Sequence, residues 1–455
     1  MKLSFLFRAR FVPCLAVLMT LTGVTACNSN TPAYCPGEAR TSLDLTRSVR
    51  ELFAQDPTIT HNEMHPYLCL ADEDTPAPKG YKPFYISHYG RHGSRTVHND
   101  APMVKVMKLM QAAYEEGNLT ETGLRLYDTL MKVKVQTDGR VGMLTRMGAA
   151  QHAGIASRMY ARFPGVFQGE ARVNCRSTTV PRCIMSMANF TMTLKSLQPR
   201  LNIRLDCADS YAQWMNTKDP ERTARVTRMV NEAFPLDDGP IAARIFKKVP
   251  DGGAKGFLLA LFRTLAPGIN LDDPVQGLGF FTEEEVMAVW ARANTFSYMN
   301  NSNPAGIGHE RMRIFTPLVD TIVVEADRAL AAWQAGSCAA GVPAADLRFG
   351  HDTPLMTLIS YFEFEDFPVG LTMEEVNDRF LDVRWLSKAS NIQMIFYRKS
   401  PGSASGAVAG KDDILVKVLH NEGEMRLRGL TPVSGPYYRW SDLRQALVSR
   451  ADKYR

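Results

Sequence analysis

The spacing of apolar and polar positions changes character along the chain. Residues 81–90, YKPFYISHYG, form a short run of aromatic and β-branched side chains bounded by turn formers, which predicts a buried strand. RHGSR follows as a glycine-flanked turn. NDAP at 99–102 opens a helix, with Asn99 or Asp100 as cap and Pro102 in the first turn. In 103–116, MVKVMKLMQAAYEE, apolar residues recur at helical spacing until Gly117 closes the segment. Strand, glycine loop and helix in this order is the layout with which α/β proteins hold ligands at the C-terminal ends of strands.

The alternation continues to about residue 200. Helical periodicity covers 40–56 and 142–164, the latter capped by Thr145; 171–179 reads as a short strand and loop, and 181–199 as a helix. From 201 to 340 the patterns are mostly helical and separated by long polar stretches. DLRFG (346–350) is again a strand, HDTP a turn and LMTLISYF a helix. Residues 391–399 and 413–421 predict late strands, 400–413 an exposed loop, and 441–452 a terminal helix capped by Ser441. The fold class is α/β, with a core of 41–200 and 341–455 around an α-helical insertion subdomain at 201–340.

Composition narrows the function classes. The chain has 455 residues, 45% of them hydrophobic and 22% charged, with a net charge of +6 and no basic run. That suits a small anionic ligand rather than nucleic acid. Lys2, Arg8 and Arg10 precede an apolar stretch at 11–24 that is too short for a comfortable membrane span. VTAC (24–27) then resembles a lipobox. Residues 1–27 read as a signal peptide, Cys27 as a lipid anchor and 28–40 as a tether; an ordinary cleaved signal is the alternative. Either reading exports the chain, to the periplasm or to an outer-membrane anchor. Six further cysteines, at 35, 69, 175, 183, 207 and 338, suggest disulfides in such a compartment. No CxxC pair is present to suggest a zinc ribbon.

Three stretches carry candidate chemistry. In RHGSR, Arg91 and Arg95 offer planar forks suited to phosphate oxygens, and Gly90 and Gly93 allow close backbone approach. His92 between them should be neutral and available as a nucleophile; the plain alternative is a solvated basic loop. FGHDTP (349–354) puts His351 and Asp352 at the tip of a strand. Asp352 reads either as a helix cap or as a general acid, and a helix N-terminus opposes the raised pKa an acid needs. In CRSTTVPRC (175–183), Arg176 and Arg182 flank a hydroxyl-rich turn. HNEMH (61–65) is not a zinc-binding HExxH, and no metal or other cofactor is expected.

Taken together, RHGSR after the first strand, LTRMGAAQH (144–152), an arginine before a later helix and HD after a late strand resemble the histidine acid phosphatase family. The resemblance spans at least residues 84–358 and implies a phosphoglycerate-mutase-like core with a central mixed sheet flanked by helices. It also implies His92 as the nucleophile that becomes phosphohistidine and Asp352 as the general acid. Arg91, Arg95, a third arginine and His351 would bind the phosphoryl group. The third arginine is assigned to Arg182, with Arg176 in reserve, because the family's acid and threonine near it are replaced by Thr179 and Cys183. The multiple inositol polyphosphate phosphatase branch carries His-Ala-Glu where this chain has His351-Asp352-Thr353, which is similar to phytases and glucose-1-phosphatases. The implied partner is a small phosphorylated substrate, phytate or other inositol phosphates or sugar phosphates, with no protein partner. A broad-specificity acid phosphatase and a non-catalytic phosphate-binding lipoprotein are the alternatives.

Overall fold

The computed structural model describes residues 44–399 and 413–455, apart from residue 45 and the segments 72–73, 251–253 and 335–342. The expected signal peptide, the anchor at Cys27, the tether, Cys35, Cys338 and most of the 400–413 loop lie outside the described residues.

Eight strands form one mixed sheet. They are β1 (Tyr81–Arg91), β2 (Arg172–Ser177), β3 (Asn202–Cys207), β4 (Pro343–Gly350), β5 (Asn391–Lys399), β6 (Leu415–His420), β7 (Gly423–Glu424) and β8 (Tyr437–Arg439). The order is β3-β2-β4-β1-β5-β6-β7, with β8 pairing β6. β1 runs parallel to β4, which runs parallel to β2, and β2 to β3; β5 joins β1 antiparallel. β1 is therefore a central strand, and its residues from Phe84 onward are buried, as its near-continuous apolar run requires.

Each face of the sheet packs on helices. Tyr85, Tyr89, Met394 and Val416 share a core with Leu355 and Ile359 of helix Asp352–Phe362 and Leu318 of helix Glu310–Gln334. On the other face Ile86, Leu347 and Phe349 pack with Ile155 of helix Arg146–Arg162 and Phe190 of helix Pro181–Leu197. Each such buried apolar side chain contributes roughly 1.5–3 kcal/mol of transfer free energy. A third core joins the helices Asp100–Glu115, Glu121–Thr137 and Phe257–Leu265.

The structure departs from the sequence reading in four places. Residues 202–207, read as the start of the helical region, form β3; it is the edge strand and mostly exposed, so it lacks the apolar run that marks an interior strand. The HDTP turn is instead the first turn of helix Asp352–Phe362, with His351 at the N-cap position. The terminal helix starts at Trp440, so Ser441 lies inside its first turn and Arg439 stands at the cap. No disulfide joins the described cysteines: Cys175, Cys183 and Cys207 are thiols. Cys175 points into the core from β2, Cys183 is buried against the end of β4, and Cys207 is exposed on the edge strand, so none meets a bonding partner among the described residues.

Candidate active site

The register of the parallel strands creates the site. Arg91 pairs with Gly350, and Ser177 with Phe349, so β1, β2 and β4 end at nearly the same level. The next residues, His92, Thr178 and His351, emerge together at the C-terminal edge, where parallel sheets place ligands. His92 N–H donates to Gly350 O at 3.0 Å, and His92 O accepts from Ala389 N–H at 3.1 Å. Tyr89 Oη accepts the His351 N–H at 3.1 Å. A Cβ on Gly350 would lie 2.3 Å from that hydroxyl, so only glycine lets Tyr89 reach under the turn.

The RHGSR turn is pressed onto helix Arg146–Arg162. A Cβ on Gly148 would come within 2.2 Å of Ser94 O, and one on Gly93 within 2.5 Å of Gly148 O. Gln151 Oε1 accepts Ser94 N–H at 2.9 Å and Gln151 Nε2 donates to Ser94 Oγ at 2.9 Å. Thr145 caps the helix by accepting from Gly148 N–H. The residues of LTRMGAAQH thus hold the turn in shape from below.

Arg91 is fully buried, and its donors can be accounted for one by one. Nη1 donates to Glu63 O at 2.6 Å and to Leu386 O. Nη2 donates to Glu63 Oε2 at 2.6 Å and to Asp352 Oδ2 at 2.9 Å. Its Nε–H has no acceptor among the described residues. Among the described residues Arg95 donates only to Thr96 O, at 3.2 Å, and the Nε–H groups of Arg95 and Arg182 are likewise buried without an acceptor there. Three guanidinium groups with unanswered buried donors converge where the strands end. Arg176, the reserve arginine, is elsewhere: it pairs with Glu325 at 2.6 Å and Asp346 at 3.6 Å.

His92 Nδ1 lies 2.9 Å from Gly93 O, and because a carbonyl only accepts, Nδ1 carries the proton and Nε2 presents a lone pair. Burial, then the charges of Arg182, Arg91, Lys388 and Arg95, hold the imidazole well below its ordinary pKa. His351 stands across from it with the rings 5.8 Å apart and edge to face. Its Nε2 is 3.2 Å from Thr178 Oγ1 and 3.7 Å from Cys183 Sγ. Burial and Arg182 lower it to about 3.

Asp352 Oδ1 accepts from Thr353 N–H at 2.9 Å. Burial pushes its carboxyl up, but Arg91, with Lys388 and His351, outweighs burial and holds it at about 2. Asp382 shows the opposite balance. It is fully buried, accepts from Ser297 Oγ on one oxygen, has no donor on the other, and burial raises it to about 7.

The structure brings Arg91, His92, Arg95, Arg182, His351 and Asp352 into one cluster. His88 is excluded from it and packs between Phe190 and Phe349, while His98 is exposed on the cavity wall. Sequence reasoning passed over Glu63, Lys388 and Asp382. Glu63 stood inside a quoted motif, HNEMH, but was weighed only as a metal-site glutamate; Lys388 and Asp382 belong to no motif. Beside the cluster opens a cavity of about 900 Å³, walled by Glu63, Arg95, His351 and Asp352 and also by Lys218, Arg263, Arg292 and Arg311.

Residues 90–229 match the family model of the histidine phosphatase superfamily (branch 2). Over those residues the chain is similar to the branch 2 histidine phosphatases. The matched part contains RHGSR and Arg182; His351 and Asp352 lie beyond it. No curated protein sequence matches the chain. Among solved structures it is similar to the Bifidobacterium longum multiple inositol polyphosphate phosphatase in complex with phosphate, at 16% identity over 86% of this chain and 98% of that one, with a TM-score of 0.69. The same enzyme in complex with inositol hexasulfate gives a TM-score of 0.68 at 16% identity, over 85% and 97% of the two chains. The phytase from D. castellii gives 0.61 at 14% identity, over 90% and 88%. These likenesses show a shared fold. No described helix of the chain is long and apolar enough to cross a membrane.

Proposed function

We propose that this phosphatase hydrolyses phosphomonoesters through a phosphohistidine at His92. The observation that carries the reading is the set of buried Nε–H donors on Arg91, Arg95 and Arg182, which have no acceptor among the described residues and lie beside a histidine whose Nε2 is a free base. Buried donors are rarely left unpaired, and the oxygens of a phosphoryl group fit three guanidinium forks. Phosphoryl transfer asks mainly for positioning and charge stabilisation. His92 Nε2 forms the N–P bond as the ester P–O bond breaks, and the leaving alkoxide takes a proton from Asp352. Water then gives a proton back to Asp352 and attacks phosphorus; the N–P bond breaks and phosphate leaves. His351 is a further phosphoryl ligand.

The same contacts explain how Asp352 becomes an acid. In the ligand-free protein both Nη2 donors of Arg91 are taken, by Asp352 and Glu63. A phosphoryl oxygen that engages Nη2 displaces a carboxylate and adds negative charge beside Asp352. Both effects raise the Asp352 pKa from about 2. Proton donation then contributes roughly 10²- to 10⁴-fold on poor leaving groups.

For the substrate we infer inositol phosphates or sugar phosphates. A cavity of about 900 Å³ carrying Lys218, Arg263, Arg292 and Arg311 beyond the scissile site suits a polyanion bearing further phosphates. The fold shared with an inositol polyphosphate phosphatase and a phytase supports the same choice. The reading takes the chain as exported, with Cys27 as its acyl anchor, on the strength of residues 1–27. A phosphate-release panel of phytate, sugar phosphates and p-nitrophenyl phosphate, with His92→Ala as blank, tests it. Turnover should vanish in His92→Ala, and acid quenching of the wild type should trap phosphoenzyme. Release by His92→Ala at the wild-type rate would overturn the reading.

A further inference from the structure

Glu63 and Lys388 have no part in the transfer chemistry just described, yet they join the same cluster. Glu63 Oε2 is shared between Arg91 Nη2, at 2.6 Å, and Lys388 Nζ, at 3.0 Å. Glu63 O also accepts from Arg91 Nη1 at 2.6 Å. The residue before it, Asn62, is buried and holds φ 53° and ψ −131°, a conformation that is costly for any residue but glycine. The strained backbone aims Glu63 at Arg91. Burial pushes the Glu63 carboxyl up, but Lys388, Arg91 and Arg95 outweigh it and hold it well below the ordinary range. Lys388 is itself almost fully buried; burial, then Arg91 and Arg95, hold its pKa well below the ordinary lysine value, against the pull of the Glu63 carboxylate at 3.0 Å. Its backbone is tied to the site as well, since the next residue, Ala389, donates to His92 O.

As scaffolding, a carboxylate is a poor choice here, because it competes with phosphoryl oxygens for Arg91. Charge offers a reason for it. Arg91, Arg95 and Arg182 share the phosphoryl position, and the Glu63 carboxylate offsets part of their positive charge. Without Glu63 the site would hold a phosphate more tightly and release it more slowly.

We propose that Glu63 and Lys388 form an anion-exchange pair for the phosphoryl site. Glu63 occupies Arg91 when no phosphate is bound, and passes wholly to Lys388 when a phosphoryl group takes Arg91 Nη2. Both are positioning residues: they act through Arg91 rather than on the reacting atoms. The exchange weakens the hold on product phosphate and so favours its release, a step that limits turnover in many enzymes. The inference rests on the phosphatase reading of the site.

Inorganic phosphate is the probe, as a competitive inhibitor of p-nitrophenyl phosphate hydrolysis by the full chain. Glu63→Gln should lower the phosphate inhibition constant about tenfold, the scale of one charge-assisted hydrogen bond. Lys388→Met should raise it by about the same factor, because Glu63 then has Arg91 alone to hold. The double variant should stay within about threefold of Glu63→Gln, since Lys388 acts only through the Glu63 carboxylate and the two changes are therefore not additive. A merely structural pair would move both single variants in the same direction. An unchanged or raised constant in Glu63→Gln overturns the proposal. Glutamine keeps the size and an acceptor, so this variant decides the matter even where Lys388→Met does not fold. If the wild type hydrolyses no monoester, the phosphatase reading fails, and calorimetric titration of inorganic phosphate into the same variants still reads the pair.

Discussion

Asp352 Oδ2 lies 2.9 Å from Arg91 Nη2, so the candidate acid of the site is ion-paired to its most buried arginine. The pairing makes proton donation depend on the phosphoryl group that competes for the same donors. Asp352→Asn should therefore lose roughly 10²- to 10⁴-fold in kcat on alkyl phosphates, whose leaving alkoxides need the proton, and far less on p-nitrophenyl phosphate. Equal losses on the two substrate classes would remove Asp352 from the acid role.

Arg182 and Arg176 stand six positions apart and should fail in different ways. Arg182 has a buried, unanswered Nε–H and is the charge acting most strongly on His92 and His351. Arg176 is answered by Glu325 and Asp346 beneath the sheet edge. Arg182→Ala should reduce kcat/KM by at least about a hundredfold, the scale of one preorganised donor to a transition state, with little change in Tm. Arg176→Ala should lower Tm and leave kcat/KM within about threefold, because a partly buried carboxylate pair loses its cation. Steady-state kinetics with thermal melts on both variants checks the contrast.

Gly148 touches no reacting group, yet its substitution should impair the chemistry. A Cβ there would sit 2.2 Å from Ser94 O, so the RHGSR turn must move. Displacements of about 1 Å can cost about a hundredfold in rate. Gly148→Ala is expected to lose at least tenfold in kcat on p-nitrophenyl phosphate, the lower end of that scale, where Gly139→Ala, whose Cβ meets nothing within 4 Å, is expected to change stability only. Equal kinetics in the two variants would show that the turn tolerates the shift.

Stability should fall on acidification, and the sign follows from the buried histidines. Burial lowers His61, His88, His152, His351 and His420 to about 3, and His92 well below its ordinary value. Between about 6.5 and 3 the unfolded chain binds protons at these sites and the folded chain does not. Their contribution is thus fully present above pH 6.5 and is lost as pH falls. Asp382, raised to about 7, opposes them, because the folded state holds its proton down to the ordinary carboxylate range. Near pH 5 these groups together should take up about five protons on unfolding, measurable from the pH dependence of unfolding free energy. An uptake near zero would show that the histidines are already protonated in the folded protein.

Local sequence determined the elements whose residues carry their own signals. The central strand is legible from an unbroken apolar run, helix Arg146–Arg162 from its Thr145 cap and periodicity, and the turn between β1 and the next helix from its glycines. Arg91, His92 and Arg95 were legible because five consecutive residues hold them, and His351–Asp352 because they follow a strand. The edge strand β3 was not legible, because an exposed strand has no apolar signature. Nor was the electrostatic state of the site. That Asp352 is held at about 2 and Asp382 raised to about 7 depends on burial and on which charge stands beside each carboxyl. Glu63 and Lys388, 325 positions apart, meet only because the loop before β5 folds over the end of β1. Residue types and spacings set out which chemistry this chain could perform. The strand order, which is fixed by non-local pairing, decided which of its charges share an arginine.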